Sequence, residues 1–383
     1  MIYLDNGATS FPKPPAVHRA YSDCMRQYAA NAGRGAHRLS VKAAETVWET
    51  RMLLAKLFHV DAPERIVFTQ NCTEAINTGM KGILRSGDDL IISDMEHNSV
   101  YRPAMALEKQ GVRTLLAQTE EDGRVLPEAV LRQITPRTRM ICLQHASNVG
   151  GGINPIREIG KLARERGILF MVDAAQTAGC VSIDVELDNI DLLAFPGHKG
   201  LLGPQGTGGL YVKDGLSVLP MREGGTGSGS EKKEMPDFLP DRLEGGTVNL
   251  PGIAGLGGGV RTVLDIGVEK VRRHETKLCK QFMHHVSALP GVRILGPAEP
   301  RERVGVVSLA VSERDSSEIA GILDRKYGIA VRAGLHCAPL AATRYGISPE
   351  GSIRFSPGIY NTGQEMAYAA WALGEILAKN QHI

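Results

Sequence analysis

The sequence predicts an α/β protein with a mostly parallel sheet and a smaller α/β unit towards its C-terminal end. Short apolar runs alternate with longer amphipathic stretches along the chain. Strands that are apolar on both faces and are separated by helices are typical of a parallel sheet covered on both sides. A length of 383 residues fits two domains, or one large domain with a smaller one attached.

Six apolar runs are predicted to be strands of the large sheet, namely residues 66–69, 90–93, 140–143, 169–172, 192–195 and 210–212. The amphipathic stretches between them predict helices, for example over residues 73–84 and 155–166. Ser40 is a favourable N-cap residue ahead of Val41, so the first helix is expected to begin near it.

The composition changes at residues 222–240, where a Gly- and Ser-rich stretch is followed by Glu231, Lys232 and Lys233. Such a stretch predicts a mobile surface loop. After Asn249, a long helical stretch is expected to run to about Leu289. A strand over 304–311 and helices over 316–327 and 363–379 would complete the smaller unit.

Composition and charge exclude several classes of protein. Hydrophobic residues make up 43% and charged residues 22%, as in a globular protein. The formal net charge of +2 is too small to indicate a nucleic-acid partner. No apolar run reaches the ~18 residues of a membrane span, and the first residues do not resemble a secretory leader. The six cysteines are widely spaced and form no C-x-x-C pair, so we expect reduced thiols in a cytoplasmic protein.

The most prominent candidate for chemistry is Lys199, which follows an apolar run and lies between glycines. A lysine amine of lowered pKa can form a Schiff base with an aldehyde cofactor. The alternative is an exposed lysine on a turn, and for an isolated Gly-His-Lys motif that alternative is favoured.

Two further positions strengthen the case for a cofactor site. Asp173 ends a predicted strand, at the sheet edge where open α/β sheets bind ligands. Pyridoxal 5′-phosphate (PLP) needs a lysine, an acid for its ring nitrogen and donors for its phosphate. The predicted helix start at Thr73 provides such donors. The alternatives are a turn or capping role for Asp173 and an N-cap role for Thr73.

Ten short motifs follow one another along the chain: YLDNGAT (3–9), RGAHRLS (34–40), TEAIN (73–77), EHNS (96–99), HASNVG (145–150), DAAQ (173–176), GHK (197–199), EGGTVN (244–249), RAGLHCAP (332–339) and RFS (354–356). Together they resemble the class V (fold type I) PLP-dependent enzymes, and within them the cysteine desulfurase family, closer to its Suf-type or group II branch. The resemblance implies a seven-stranded, mostly parallel sheet. It also implies a large PLP-binding domain over residues 16–255. Residues 1–15 and 256–383 would form a small domain that carries the catalytic cysteine loop.

The resemblance also implies roles for twelve residues. The catalytic residues would be Lys199, Cys337 and His97. The cofactor would be held by Cys72, Thr73, His97, Asn148, Asp173, Gln176, His198 and Lys199, and by Thr247 reaching in from the second subunit of a homodimer. The substrate would be bound by Arg354, Asn148 and Asn6. Pro196 stands where the family often has a serine, which removes one phosphate contact.

The implied reaction converts L-cysteine to L-alanine and leaves a persulfide on Cys337, whose sulfur passes to an acceptor protein, as in iron–sulfur cluster assembly. His336 or Arg332 would be the cation that favours the Cys337 thiolate. The alternative for Cys337 is an inert buried thiol. Selenocysteine lyase, aminotransferase or epimerase activity at the same PLP site remains open. A non-catalytic module is disfavoured because Lys199, Asp173 and Arg354 occur together.

Overall fold

The computed structural model describes residues 1–33, 35–312 and 314–378. Arg34, in the second motif, and Lys379, the expected end of the last helix, lie outside the described residues. The strands in chain order are β1 (Ile2–Tyr3), β2 (Ile66–Thr69), β3 (Asp89–Ser93), β4 (Arg113–Ala117), β5 (Thr138–Gln144), β6 (Leu169–Asp173), β7 (Leu192–Pro196), β8 (Gly208–Val212), β9 (Val292–Ile294), β10 (Val307–Val311), β11 (Ile329–Ala330), β12 (Arg332–Gly334) and β13 (Ser352–Phe355).

The α-helices, again in chain order, are α1 (Pro15–Asp23), α2 (Arg38–Phe58), α3 (Cys72–Ile83), α4 (Asn98–Glu108), α5 (Pro127–Leu131), α6 (Ile156–Glu165), α7 (Leu250–Ile266), α8 (Val268–Val286), α9 (Ser316–Tyr327), α10 (Pro339–Arg344) and α11 (Gly363–Ala378). A π-helical turn, Cys24–Tyr28, follows α1. With the strands they form an α/β protein, as the sequence predicts.

The large sheet has seven strands in the order β2-β8-β7-β6-β5-β3-β4. Strand β8 runs antiparallel to both of its neighbours, and the other strand pairs are parallel. The predicted sheet is therefore confirmed, and all six predicted strands belong to it. Strand β4 was missed; it lies at the edge of the sheet, where it pairs only with β3 and keeps partly exposed residues.

Side chains of the central strands alternate between two apolar cores, one on each face of the sheet. Ile141 and Leu143 of β5 point into one core, and Met140 and Cys142 point into the other. This period of two is the geometry of an extended strand. Burial on both faces explains why the strands read as continuous apolar runs.

The C-terminal part contains a second sheet, with the order β12-β13-β10-β9 and antiparallel pairing throughout. Helices α8, α9 and α11 contribute Phe282, Leu323 and Leu373 to a separate apolar core beneath it. The N-terminal strand β1 pairs with β11, which brings the first residues to this part of the molecule. The division at residues 15 and 255 stays a prediction.

One expectation for the helices is wrong. The first helix is α1, which begins at Pro15, and Ser40 lies inside the first turn of α2, whose N-cap is His37. Proline at the first helical position is itself a start signal, because it lacks the N–H that has no acceptor there. The long helical stretch predicted after Asn249 is confirmed, and it consists of two helices, α7 and α8, separated at Gly267, which has a φ of 90°.

Residues 213–249, all of them described, form neither a helix nor a strand, as the Gly- and Ser-rich composition predicts. Within the described ranges, no helix combines the length and the apolar character that crossing a membrane requires.

Candidate active site

A cavity of about 210 Å³ lies at the carboxyl ends of β5, β6 and β7. Its lining includes nine of the twelve predicted site residues: Cys72, Thr73, His97, Asn148, Asp173, Gln176, His198, Lys199 and Arg354. Pro196, at the end of β7, also lines it. Tertiary structure therefore gathers these residues from positions more than 280 residues apart in the chain.

Lys199 follows β7 in a tight turn. Its carbonyl accepts the N–H of Leu202 at 2.8 Å, and the Gly197 carbonyl accepts the N–H of Gly203 at 2.8 Å. Burial, and then the charge of Arg354, lower the pKa of the Lys199 ammonium. A buried lysine of lowered pKa can supply the free amine that Schiff-base chemistry needs.

Asp173 ends β6 and is 3% exposed. Its Oδ1 atom accepts the Ala175 N–H at 2.8 Å and the Cys72 thiol at 3.3 Å. Within the described residues, Oδ2 receives no hydrogen bond, so one carboxylate oxygen is available to a ligand. Burial and Asp173 raise the pKa of Cys72 well above the ordinary thiol value, so Cys72 acts here as a donor and not as a thiolate.

Helix α3 begins beside the cavity, with Cys72 as its first residue. The side chain of Asn71 accepts the Glu74 N–H at 2.9 Å, so the N-cap is Asn71 and the capping alternative for Thr73 is wrong. N–H groups of a first helical turn lack acceptors inside the helix. The helix start can therefore bind an anionic group at Cys72 and Thr73.

His97 caps α4, and its Nδ1 atom accepts the Ser99 N–H at 3.0 Å. Burial lowers the pKa of His97 to about 4, so the ring is neutral near pH 7. Because Nδ1 accepts, the ring proton lies on Nε2. The adjacent Glu96 is fully buried, and burial raises the pKa of its carboxyl to about 8.

Arg354 lies on β13 and is 1% exposed. Its Nη2 atom donates to Asp5 at 2.9 Å and its Nη1 atom to the Asn148 carbonyl at 3.2 Å. Asn148 itself donates to the His336 carbonyl at 2.7 Å. These bonds hold the guanidinium in place at the cavity wall.

Cys337 lies between β12 and α10, in a left-handed backbone conformation with a φ of 57°. All six cysteines lie in the described part of the chain, and Cys337 alone among them is exposed. Arg332 Nη2 lies 3.5 Å from its sulfur. The inert buried thiol considered above is therefore excluded for this residue.

The expectation that His336 could provide the cation is wrong. His336 is 3% exposed, and burial lowers its pKa to about 3, so the ring carries no charge at neutral pH. Its Nε2 atom lies 3.1 Å from the Ser352 carbonyl and is therefore the protonated nitrogen. Arg332 is the cation beside the sulfur.

Three predicted residues are not part of the cavity lining within this one chain: Cys337, described above, Thr247 and Asn6. Thr247 is exposed and lines a separate cleft with Glu244 and Asn249. Asn6 borders a neighbouring pocket, and its side chain is bonded to the Ser356 carbonyl and to Asn361. The roles implied for Thr247 and Asn6 stay predictions.

Sequence reasoning assigned no role to Asp5 or Glu96, although both lie in the quoted motifs. Asp5 pairs with Arg354 across 349 positions of sequence. Glu96 accepts hydrogen bonds from Ser93 and from the Gln144 backbone. The available signal for both was an acidic residue inside a quoted motif, YLDNGAT for Asp5 and EHNS for Glu96.

The polar groups of the cavity fit the predicted PLP. Asn148 Oδ1, His198 Nδ1 and Arg354 Nε are buried without a partner among the residues that the structure describes, although buried polar atoms are normally hydrogen-bonded. A lysine, a carboxylate with a free oxygen and a helix start surround the same space. This set matches the amine, ring-nitrogen and phosphate partners that PLP requires.

Known proteins resemble this chain over nearly its whole length. The family model described as aminotransferase class-V matches residues 2–368. A probable cysteine desulfurase of Methanothermobacter thermautotrophicus is 35% identical over 381 residues, covering 98% of this chain and 94% of the relative. The cysteine desulfurase of Salmonella dublin is 34% identical, covering 96% and 91%.

Solved structures agree with the sequence comparisons. The apo cysteine desulfurase from Thermococcus onnurineus NA1 superimposes with a TM-score of 0.92 at 33% identity, covering 99% of this chain and 95% of that one. An Escherichia coli cysteine desulfurase superimposes with a TM-score of 0.88 at 27% identity, covering 98% and 94%.

Proposed function

The chain belongs to the aminotransferase class-V family, and from this premise we propose that it is a PLP-dependent cysteine desulfurase. The observation that carries the proposal is the combination of two features. A cavity presents Lys199, Asp173 and Arg354 together, and the single exposed cysteine lies beside Arg332 in the β12–α10 loop. The first feature suits an amino-acid substrate and PLP, and the second suits sulfur transfer.

Lys199 would hold PLP through its amine, and Asp173 would pair with the ring nitrogen through Oδ2. His97 would lie against the ring, and Gln176 and Asn148 would contact its hydroxyl. His198 and the start of α3 at Cys72 and Thr73 would bind the phosphate. When bound, PLP withdraws electrons from the substrate Cα and so makes its proton removable.

Arg354 would bind the substrate carboxylate, a task suited to the planar guanidinium. Its Nε atom is buried and has no partner within the described ranges, and its Nη2 atom is held by Asp5, so the group is oriented before the substrate arrives. Lys199, released as a free amine, would move the proton at Cα. The lowered pKa of Lys199 supports that role, since an amine must be unprotonated to accept a proton.

The Cys337 thiolate would attack the sulfur of the bound cysteine. A sulfur–sulfur bond forms, the carbon–sulfur bond of the substrate breaks, and the electron pair left on carbon takes up a proton to give L-alanine. Cys337 then carries a persulfide, and atoms balance because L-cysteine plus thiol equals L-alanine plus persulfide. Arg332, 3.5 Å from the sulfur, supports an anionic sulfur before and after this step.

The proposal extends to a cytoplasmic homodimer that hands sulfur to an acceptor protein, as in iron–sulfur cluster assembly. Thr247 supports the dimer, because it lies on an exposed segment outside its own chain's cavity. The nearby ion pair between Arg51 and Glu244, at 2.8 Å, holds that segment against helix α2. Gel filtration should give twice the 41.3 kDa mass of one chain.

The test compares PLP-loaded wild type with Cys337→Ala, supplied with L-cysteine under reducing conditions. Wild type should form alanine and sulfide in equal amounts, and Cys337→Ala should form neither. Cys279→Ala is the matched control, because it removes a buried thiol in the small-domain core and should keep wild-type products. The visible absorbance of bound PLP should be the same in all three proteins.

Other outcomes would identify the alternatives. A wild type that is yellow but inert to cysteine and active on L-selenocysteine would indicate a lyase. Keto-acid or racemised products would indicate an aminotransferase or an epimerase. Alanine formation that survives Cys337→Ala would refute the sulfur step assigned to this residue.

A further inference from the structure

The N-terminal segment, residues 5–13, contacts three parts of the cavity wall. Asp5 pairs with Arg354, and the Gly7 carbonyl accepts the Gln176 amide at 3.1 Å. The end of the segment bonds to the residue before Lys199. The same nine residues therefore join the groups proposed to hold the substrate and the cofactor.

The contact at the end of the segment is concentrated on one atom, the carbonyl oxygen of His198. It lies within hydrogen-bond distance of the Ser10 N–H at 3.0 Å, Thr9 Oγ1 at 3.1 Å, Ser10 Oγ at 3.2 Å and Lys13 Nζ at 2.8 Å. A carbonyl oxygen has two lone pairs, so these four donors compete for it, and a hydrogen bond from a charged donor is the strongest kind. The shortest of the four distances belongs to the ammonium.

Lys13 has no carboxylate partner within the part of the chain that the structure describes, and its other hydrogen bond goes to Ser10 Oγ at 2.8 Å. Burial lowers the pKa of Lys13 to about 8. A partly buried cation without an opposing charge contributes little to folding, since its desolvation offsets its hydrogen bonds. The partly buried ammonium of Lys13 therefore points to a role other than stability.

We propose that Lys13 is a positioning residue for Lys199, acting through the carbonyl of His198. A peptide group is planar, so holding the His198 oxygen also fixes the direction of the Lys199 N–H and the origin of its side chain. The Lys199 carbonyl is held on the other side by Leu202. The amine of Lys199 is thereby aimed at the cofactor and at the substrate Cα, and this inference rests on the role proposed above for Lys199.

The test uses Lys13→Met, which keeps the length of the side chain and removes the ammonium. Lys13→Arg keeps a cationic donor, and Lys161→Met removes one exposed lysine charge as the matched control. Each protein is stripped of PLP and then mixed with it, and the appearance of visible absorbance gives the rate of attachment to Lys199. The kcat and KM for L-cysteine and the melting temperature of each apoprotein are also measured.

Lys13→Met should slow PLP attachment and lower kcat by about 10-fold, the order expected for a lost hydrogen bond from a charged group. KM should stay within about twofold, and the melting temperature within ~3 °C. Lys13→Arg should recover both rates to within about threefold of wild type. Lys161→Met should match wild type in every measurement.

Unchanged rates in Lys13→Met would overturn the proposal. Slower rates accompanied by a fall of more than ~8 °C in melting temperature would also overturn it, because they would indicate a purely structural role. If Lys13→Met does not fold, Lys13→Gln gives the same readings. A wild type that takes up no PLP overturns both this inference and the proposed function. A wild type that takes up PLP but leaves L-cysteine unchanged overturns only the latter, because the attachment rates still test Lys13.

Discussion

Replacing Glu96 by glutamine should remove a pH dependence from the stability of the fold. Glu96 is fully buried and accepts hydrogen bonds from Ser93 Oγ at 2.6 Å and from the Gln144 N–H at 3.1 Å. Burial raises the pKa of this carboxyl from 4.5 to about 8. Below about pH 8 the folded protein therefore holds a proton on Glu96 that the unfolded chain releases above pH 4.5.

The direction of the effect follows from this proton. Between pH 4.5 and 8 the folded state binds more protons than the unfolded state, so the free energy of unfolding falls as the pH rises. Each pH unit corresponds to 1.36 kcal/mol, so the full interval gives an upper limit of ~5 kcal/mol. Glutamine resembles the protonated carboxyl and should show no such loss.

The assay is urea unfolding of wild type and Glu96→Gln at pH 5, 6.5 and 8. Relative to the variant, wild type should lose at least about 2 kcal/mol between pH 5 and pH 8. The exposed Glu121→Gln is the control and should parallel wild type. A difference between wild type and Glu96→Gln that is constant across the three pH values would refute the reasoning, because it would show that Glu96 does not change protonation in this interval.

Three further predictions concern packing, substrate binding and sulfur chemistry. Gly160→Ala should lower the free energy of unfolding by about 3 kcal/mol, because the added Cβ would lie 2.0 Å from the Asp188 carbonyl oxygen. A loss under ~1 kcal/mol in urea unfolding would contradict this expectation. Arg354→Lys should raise the KM for L-cysteine at least ~10-fold, since an ammonium cannot form the paired contacts of a guanidinium. An unchanged KM in steady-state assays would argue against binding of the substrate carboxylate by Arg354. Arg332→Met should slow persulfide formation on Cys337, as measured by thiol labelling, about 10-fold and leave the melting temperature unchanged. An unaltered rate would mean that the 3.5 Å contact between Arg332 and the sulfur has no kinetic effect.

Much of the large sheet could be predicted because its strands are buried on both faces. Residues 66–69 and 192–195 form short apolar runs, and their length is typical of a buried strand and too short for a helix. Strand β4 escaped prediction because it lies at the sheet edge, where only one of its five residues, Ala117, is buried. The first helix begins at Pro15 without a side-chain cap, so its start carries none of the Ser, Thr, Asp or Asn signals of a capped helix.

The sequence by itself determined the class of fold, and it predicted the lysine and the acid that we propose hold PLP. Lys199 and Asp173 each follow an apolar strand, and in a parallel sheet such positions must meet at one edge. Local patterning is enough for that conclusion, because apolar runs that alternate with helices indicate buried strands that run parallel. The exposed position of Cys337 could be anticipated only from the motif that contains it, RAGLHCAP.

Tertiary structure alone decided how these groups are charged and held. The pairs Arg354–Asp5 and Lys13–His198 join residues 349 and 185 positions apart. Burial makes His336 neutral, so that Arg332 becomes the cation beside Cys337. Hydrogen bonding and desolvation depend on distance and on exclusion of water, and neither is set until segments remote in the chain have packed together.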